Sequence, residues 1–511
     1  MPPFYGRHPR GNMSDSIGSR IRSGLAWKAG SQLALQISRL LVALILARLL
    51  APEEWGLAAM VVVFSGVAIV FTDSALGTAL IQRRELLEED RSTVFWTTAV
   101  IGLALMVLGI AFSEPLARFY GESEVAPLFA VLSVGFFVSA LGSTQQALLV
   151  RDMRFRRLEL RQIAATVVGA GIGIAIALAG YGAWAIVAQL LAEAVVSTAL
   201  LWYLAEWWPS ATYSVASLRR LGGFAGNVFG ENLLYQAGRN VGNLLIGRFL
   251  GASSLGVYAL ATNIVLVPFS RIAGPLQQVF FPAFAMMSDD RERMTDVWIR
   301  ATRLVGVISI PALVGLAVVA PDFVEVVLGP KWADAVPVIQ ILALVGLIQS
   351  LQTLCGEVLL ALGLANWLLR FTALWFVASL ASFAIGVQWG IIGVATAYSV
   401  VTLLIEPLRT YLTARALGTS AWRFLRALGG VAQATVVMAA FLLPLRAALV
   451  AAHMPAAARL LILVAAGGVV YIAACLWRAP EITSEIRSAL GRRRRSADTL
   501  PAAVEAPLER V

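Results

Sequence analysis

Long apolar runs separated by short polar segments make up most of this 511-residue chain. A helix needs about 20 predominantly apolar residues to cross the hydrocarbon core of a bilayer. The pattern contains 14 runs of that length and therefore predicts an all-α integral membrane protein with 14 transmembrane helices. The predicted spans are 24–50, 55–81, 93–113, 126–149, 162–180, 183–204, 222–250, 256–284, 301–321, 336–362, 367–388, 390–412, 424–446 and 456–477.

Two pairs of neighbouring spans are joined by very short segments that contain glycine. The sequence GYGAW (180–184) joins the fifth span to the sixth, and WGIIG (389–393) joins the eleventh to the twelfth. Connections this short turn the chain back on itself, so we expect an antiparallel helical hairpin at each place. Gly169 and Gly173 in the fifth span form a GxxxG pair, which predicts close packing against a neighbouring helix.

The first span recurs two hundred positions later. Residues 30–60 align with residues 230–260 without a gap, and nine of the 31 pairs are identical. Because the second copy begins six predicted spans after the first, in the seventh span, both enter the membrane from the same side. The repeat therefore predicts two parallel six-helix lobes followed by two C-terminal helices. The predicted domains are a cytoplasmic tail (1–23), an N-lobe (24–204), a cytoplasmic linker (205–221), a C-lobe (222–412), helices 13 and 14 (424–477) and a disordered cytoplasmic tail (478–511).

The composition agrees with a membrane protein. Hydrophobic residues make up 59% of the chain and charged residues only 14%, compared with roughly 25% in a soluble domain. The chain has 40 Lys and Arg residues and 30 Asp and Glu residues, but the basic residues lie between apolar runs rather than on one basic module. The sequence therefore predicts no nucleic-acid partner.

The basic residues predict the orientation of the chain. If the N-terminus lies in the cytoplasm, the cytoplasmic connections between the spans hold 15 basic residues and the outer connections hold two. Cytoplasmic loops of membrane proteins carry an excess of Lys and Arg. We therefore expect a multi-pass protein of the bacterial cytoplasmic membrane with both termini in the cytoplasm.

Polar residues follow one face of the first span and of its repeat. An arginine in the middle of a span costs about 2.5 to 3.5 kcal/mol to insert, so it should face a wet cavity or an acidic partner rather than lipid. Both alternatives remain open for Arg39 and Arg239, and the candidate pairing or ion-coupling acids are Asp73 and Glu231. The candidate substrate-binding residues of the cavity are Gln32, Gln36, Arg39, Asn232, Gln236, Arg239 and Asn243.

The eighth span contains three prolines at intervals of seven residues, Pro268, Pro275 and Pro282, with Arg271 among them. Each proline removes a helical hydrogen bond and leaves a carbonyl group without its usual donor. The pattern predicts a kinked helix, which either bends during transport or forms a static kink.

The sequence predicts no catalytic residue, no metal site and no cofactor. A phosphate-binding loop requires a lysine followed by Ser or Thr, but Ala follows Lys28 and Trp follows Lys331. The two histidines, His8 and His453, do not form a cluster that could bind a metal ion. We therefore do not expect an enzyme.

Four segments resemble the polysaccharide-biosynthesis flippase family, the Wzx type, of the multidrug/oligosaccharidyl-lipid/polysaccharide exporter superfamily. They are RNVGNLLIGRFLGASSLGVYALATNIVLVP (239–268), DSALGTALIQRRELLEEDRSTVFW (73–96), ALLVRDMRFRRLELRQ (147–162) and GYGAWAIVAQ (180–189). The resemblance implies two lobes that alternate between inward-open and outward-open states. It also implies an oligosaccharide repeat unit linked through pyrophosphate to a polyprenol, which moves from the inner to the outer leaflet during exopolysaccharide, lipopolysaccharide or O-antigen synthesis.

The predicted polar faces suit such a substrate. Arg39 and Arg239 could bind the pyrophosphate, and the neighbouring amide side chains could bind the sugar. The implied partners are membrane lipid, the polyprenyl-pyrophosphate-linked oligosaccharide and the machinery of polysaccharide polymerisation and export. Three alternatives remain: a lipid II flippase, a cation-coupled drug extruder and a non-transporting membrane scaffold of a glycan assembly complex.

Overall fold

The structure, a computed structural model, describes residues 35–73, 77, 80–81, 86–266, 276–277 and 279–478, with backbone only for residues 67, 69–70, 72–73 and 220–239. Every regular element in these ranges is helical. The helices are α1 (residues 35–49), α2 (Pro52–Asp73), α3 (Glu88–Tyr120), α4 (Val125–Arg151), α5 (Phe155–Leu178), α6 (Trp184–Ala205), α7 (Val215–Val265), α8 (Arg291–Phe323), α9 (Ala335–Leu351), α10 (Cys355–Ala361), α11 (Ala365–Gly386), α12 (Gly390–Leu417), α13 (Ala421–Ala451) and α14 (Ala456–Arg478).

The described helices suit a lipid environment. By length and composition, ten helical segments within the described ranges could cross a membrane. Between 17% and 56% of the apolar stretch of each is buried inside the protein, so much of each stretch stays accessible, as a surface covered by lipid requires. The predicted all-α membrane class is confirmed. The number of 14 spans and the two-lobe layout stay predictions, as do the domain boundaries, and both predicted cytoplasmic tails fall outside the described residues.

Both predicted hairpins are present. Gly180 and Gly182 adopt positive φ angles of 81° and 54° in the turn between α5 and α6. A second turn separates α11 from α12. There a Cβ atom on Gly386 would lie 2.8 Å from the carbonyl oxygen of Gly393, so only glycine permits this approach.

The sequence repeat is visible in the backbone. Residues 50–51 interrupt the helical backbone between α1 and α2. The matching interruption lies at Gly251 in α7, where φ is 81° and ψ is 179°. Each copy of the repeat is therefore a helix, a break and a second helix, and the two breaks differ by 200 positions.

The two copies contact each other in a reciprocal way. A Cβ atom on Gly56 would overlap the carbonyl oxygen of Ala252, and a Cβ atom on Gly256 would overlap the carbonyl oxygen of Pro52. Pro52 and Ala252 are equivalent positions of the repeat, as are Gly56 and Gly256. The contact is thus the same from both sides, as at a twofold interface. We call these four residues the glycine crossing.

A second pair of contacts covers the end of the first helix of each copy. The indole Nε1 of Trp332 donates to the carbonyl oxygen of Ala47 at 2.7 Å. At the equivalent place in the other copy, a Cβ atom on Gly247 would lie 2.8 Å from the Tyr120 ring. Equivalent positions, Ala47 and Gly247, are therefore both packed against aromatic residues.

The chain forms two compact units. Within the described ranges, the first comprises residues 35–266, Val327–Leu342 and Arg370–Thr402, and the second comprises residues 276–326, Ala343–Leu369 and residues 403–478. The glycine crossing belongs to the first unit. In the second unit, Trp298 of α8 stacks on Phe424 of α13, with ring centroids 4.8 Å apart.

A buried carboxylate joins three helices of the second unit. Asp322 of α8 is fully buried and accepts hydrogen bonds of 2.7 Å from Arg446 of α13 and Arg459 of α14. Apolar packing between Val319, Met438 and other residues of the same three helices adds to this contact. Both C-terminal helices are therefore attached to α8 by charge as well as by apolar contact.

Candidate functional site

Arg39 of α1 forms a salt bridge with Glu193 of α6. The Nη2 atom of Arg39 lies 3.0 Å from Oε1 of Glu193. The Arg39 side chain is 37% exposed and that of Glu193 is 17% exposed. A guanidinium within a membrane helix needs an acid or a polar cavity. Arg39 has an acid on one side and an open side that a further ligand could reach.

Glu193 lies at the centre of a group of hydrogen bonds. Its Oε1 atom also accepts from the Nε2 of Gln162 at 2.7 Å and from the Oγ1 of Thr166 at 3.0 Å. Gln162 and Thr166 are both on α5, whereas Arg39 is on α1. One carboxylate oxygen therefore joins α1, α5 and α6.

Arg161 fixes the orientation of Gln162. The Nη2 of Arg161 donates to the Oε1 of Gln162 at 2.8 Å. Since arginine only donates and an ionised carboxylate only accepts, the amide of Gln162 must turn its oxygen to Arg161 and its nitrogen to Glu193.

Arg161 is itself held in place inside the protein. Its side chain is buried, and its Nη1 donates to Gln146 of α4 and to Ser197 of α6, each at 3.0 Å. These bonds extend the group of polar contacts to a fourth helix. We call the whole set the polar network: Arg39, Gln146, Arg161, Gln162, Thr166, Glu193 and Ser197.

The glycines of α5 bring the polar network together. A Cβ atom on Gly169 would lie 2.8 Å from the carbonyl oxygen of Gln189 and 3.1 Å from the Cβ atom of Glu193. Gly173 is equally close to Gln189. The predicted close approach at this GxxxG pair is thus confirmed, and the helix it admits is α6. The face of α5 that carries these glycines also carries Gln162 and Thr166, because the spacings of four, three and four residues follow the helical period.

The structure gives side chains for a few of the candidate cavity residues. Gln36 lies half-buried on α1, one turn before Arg39, and Asn243 lies half-buried on α7. The cavity role of the whole set stays a prediction. Gln32, Pro268, Arg271 and Pro275 lie outside the described residues, as do the side chains of Asp73, Glu231, Asn232, Gln236 and Arg239, while Pro282 lies in a helical stretch at 279–285.

Apart from Arg39, the charged members of the polar network, Glu193 and Arg161, were not among the candidate site residues that the sequence predicted. The acid beside Arg39 is Glu193, which was not among the candidate pairing acids. Arg161 directly precedes the predicted span 162–180 and so falls in a predicted cytoplasmic connection, but it lies buried within α5. A usable signal was present, because Gln189, Glu193 and Ser197 recur every four residues on an otherwise apolar span and so share one face.

The network offers charge and hydrogen bonds rather than a metal site. Among the residues that the structure describes, no group of three His, Cys, Asp or Glu side chains could hold a metal ion. The groups gathered around Glu193 are guanidinium, amide and hydroxyl donors. Such donors bind oxygen anions and sugar hydroxyls.

Comparison with known sequences identifies polysaccharide biosynthesis proteins. The family model with that description matches residues 45–337, more than half of the chain. The chain is 29% identical over 356 residues to the teichuronic acid biosynthesis protein TuaB of Bacillus subtilis. The aligned region covers 69% of this chain and 73% of the relative. It is 28% identical over 394 residues to the lipopolysaccharide biosynthesis protein WzxC of Escherichia coli, with 76% and 80% covered.

Comparison with solved structures identifies the fold. The chain resembles the lipid II flippase MurJ in an inward closed conformation, with a TM-score of 0.72, 15% identity, and coverage of 89% of this chain and 99% of that one. An inward-facing multidrug resistance transporter of the MATE family and MOP superfamily gives a TM-score of 0.60 at 15% identity, with 76% and 98% covered. The chain therefore shares the fold of these two structures. Because the family model matches residues 45–337, this chain belongs to the polysaccharide biosynthesis protein family.

Proposed function

We propose that the chain is a flippase for a lipid-linked oligosaccharide. Its substrate is a repeat unit joined through pyrophosphate to a polyprenol, which it moves from the inner to the outer leaflet of the bacterial cytoplasmic membrane. The observation that carries the proposal is Arg39, a partly exposed guanidinium within an apolar helix, in a chain of the polysaccharide biosynthesis family. The two relatives are named for teichuronic acid biosynthesis and lipopolysaccharide biosynthesis.

The chemistry of the polar network supports this class of substrate. A pyrophosphate offers several anionic oxygens, and the planar fork of an arginine binds two such oxygens at once. Gln36 lies next to Arg39 on the same face of α1, where its amide group can bind a sugar hydroxyl. The proposed cavity is completed by the remaining candidates. Gln32 belongs to the first copy of the repeat, and the second copy contributes Asn232, Gln236, Arg239 and Asn243.

Transport proceeds by alternating access in this proposal. Fourteen spans form two parallel lobes and two further helices, both termini lie in the cytoplasm, and the span with Pro268, Pro275 and Pro282 bends. The reciprocal glycine crossing supports a pair of equivalent halves, because a twofold contact requires two copies of the same surface. Polysaccharide polymerase and export proteins are the expected partners.

A lipid II flippase is the second candidate function. The similarity to the lipid II flippase structure, with a TM-score of 0.72 over 89% of the chain, favours it. Lipid II also carries a pyrophosphate, so Arg39 would suit both substrates. A drug extruder is the weaker alternative, because the guanidinium of Arg39 neutralises the carboxylate of Glu193 that an organic cation would require.

Complementation distinguishes the two flippase functions. We expect the chain to restore polysaccharide export in a strain that lacks its own polysaccharide flippase, and to leave a strain depleted of its lipid II flippase unable to grow. Growth of the second strain without rescue of the first would contradict the proposal.

Two arginine variants, compared in the strain that lacks its polysaccharide flippase, test the site. Arg39→Ala should abolish the rescue of export while its abundance in the membrane stays normal. Arg157→Ala removes an arginine of the same half that pairs with the exposed Glu206, and it should rescue export fully. Equal rescue by both variants would refute the role of Arg39.

A further inference from the structure

We propose that Glu193 occupies the place of the substrate's anion on Arg39, and that the pyrophosphate displaces it on binding. The inference rests on the proposed function and names a specificity-determining residue for it. The contact that supports it is the 3.0 Å bond between Nη2 of Arg39 and Oε1 of Glu193.

The Glu193 side chain can keep its position when its salt bridge to Arg39 is broken. Its Oε1 atom keeps the hydrogen bonds from Gln162 at 2.7 Å and Thr166 at 3.0 Å, both from α5. Gln162 is in turn oriented by the buried Arg161. A carboxylate oxygen that keeps two hydrogen-bond donors stays ordered, so the exchange does not leave a buried acceptor without a donor.

Arg39 can exchange Glu193 for another anion, whereas Arg161 cannot exchange its partners in this way. The Arg39 side chain is 37% exposed, whereas Arg161 is buried and donates to Gln146, Gln162 and Ser197. Of these two arginines, an incoming anion can therefore reach only Arg39. Arg161 remains with the network and holds the other members in position.

The exchange makes the site selective for strong anions. A single carboxylate or a chloride ion offers Arg39 no more than Glu193 already does, and Glu193 is held beside it at a high effective concentration. A pyrophosphate offers more charge and more acceptor oxygens, so it can form a two-oxygen contact that outcompetes the single bond to Glu193. Only an anion that binds Arg39 more strongly than Glu193 does can therefore occupy the site.

Binding of a prenyl pyrophosphate to the purified full-length protein tests the inference. The probe is geranylgeranyl pyrophosphate, measured by calorimetry in detergent, with geranylgeraniol as the ligand without the anion. Glu193→Gln keeps a hydrogen-bond acceptor for Gln162 and Thr166 but removes the competing charge. We expect about tenfold tighter binding of the pyrophosphate and unchanged binding of the alcohol.

Matched variants separate this inference from the proposed site. Glu206→Gln removes an arginine-paired glutamate just beyond the end of α6 and should leave the affinity unchanged. Arg39→Ala should weaken binding at least tenfold, and the double variant Arg39→Ala/Glu193→Gln should bind as weakly as Arg39→Ala alone. A gain that persists in the double variant would show that Glu193 does not act through Arg39, which would overturn the inference.

The two possible failures are distinguishable. If Arg39→Ala weakens binding but Glu193→Gln binds no more tightly than the wild type, the displacement is wrong and the Arg39 site stands. If Arg39→Ala binds like the wild type, the proposed site itself is wrong. Should Glu193→Gln not yield folded protein, Glu193→Asp keeps the charge with a shorter reach. We expect it to bind the pyrophosphate about threefold more tightly than the wild type, and unchanged affinity would overturn the inference.

Discussion

The glycine crossing should not tolerate a methyl group. A Cβ atom on Gly56 would overlap the carbonyl oxygen of Ala252 and lie 2.5 Å from its carbonyl carbon, whereas ordinary contacts begin at 3.4 Å. Both clashing atoms belong to the main chain, so no side-chain rotation relieves the overlap. The helices must separate by about 1 Å or more, and we expect Gly56→Ala to lower the free energy of unfolding by about 3 kcal/mol.

The reciprocity of the crossing makes a sharper prediction. Gly256→Ala places its Cβ atom against Pro52 in the equivalent way, 2.8 Å from the carbonyl carbon, so its cost should be similar. Once one alanine has separated the helices, the second finds part of its space already open. The double variant should therefore lose clearly less than the sum of the two single variants.

Thermal unfolding in detergent, followed by tryptophan fluorescence, measures these effects. Gly171→Ala in α5 is the matched control, because no atom outside the backbone of its own helix lies within 4 Å of its Cβ position. Alanine is the better helix former by roughly 0.5 to 1 kcal/mol, so the control should melt at the same temperature or slightly higher. If Gly56→Ala melts together with Gly171→Ala, the helices are not in backbone contact and the reasoning is wrong.

The remaining predictions concern the second unit and the orientation of the chain. Asp322→Ala leaves Arg446 and Arg459 facing each other without their buried carboxylate and should destabilise the protein by about 3 to 5 kcal/mol in the same assay, and a loss below about 1 kcal/mol would contradict it. A cysteine at the exposed Met153 should be protected from an impermeant thiol reagent in intact cells, whereas one at the exposed Ser123 should react. Both native cysteines are buried and should give little background, and the opposite labelling pattern would reverse the proposed orientation.

Local features of the chain could be predicted from the sequence. The all-helical membrane class follows from apolar composition and run length, and both hairpins follow from glycine-rich connections too short for any other path. The GxxxG pair of Gly169 and Gly173 correctly predicted a close helix contact. Each of these features depends on residues that are near one another in the sequence, so the local sequence pattern is sufficient to predict it.

The polar network could not be predicted in the same way. Arg39 and Glu193 are 154 positions apart, and which acid pairs with an arginine depends on how each helix is rotated about its axis. The tenth predicted span shows a further limit, because the structure divides it into α9 and α10 with a turn at residues 352–354. Apolar content continues through that turn, so hydropathy alone does not reveal it.

Flipping in proteoliposomes tests the central claim most directly. A polyprenyl-pyrophosphate oligosaccharide with a fluorescent sugar is placed in both leaflets, and an impermeant reductant destroys the fluorescence only in the outer one. The wild type should make the whole pool reducible, and Arg157→Ala should do the same. Arg39→Ala should slow the loss of the inner pool by about tenfold or more. A protected inner pool with the wild type, or equal rates for both arginine variants, would contradict the account.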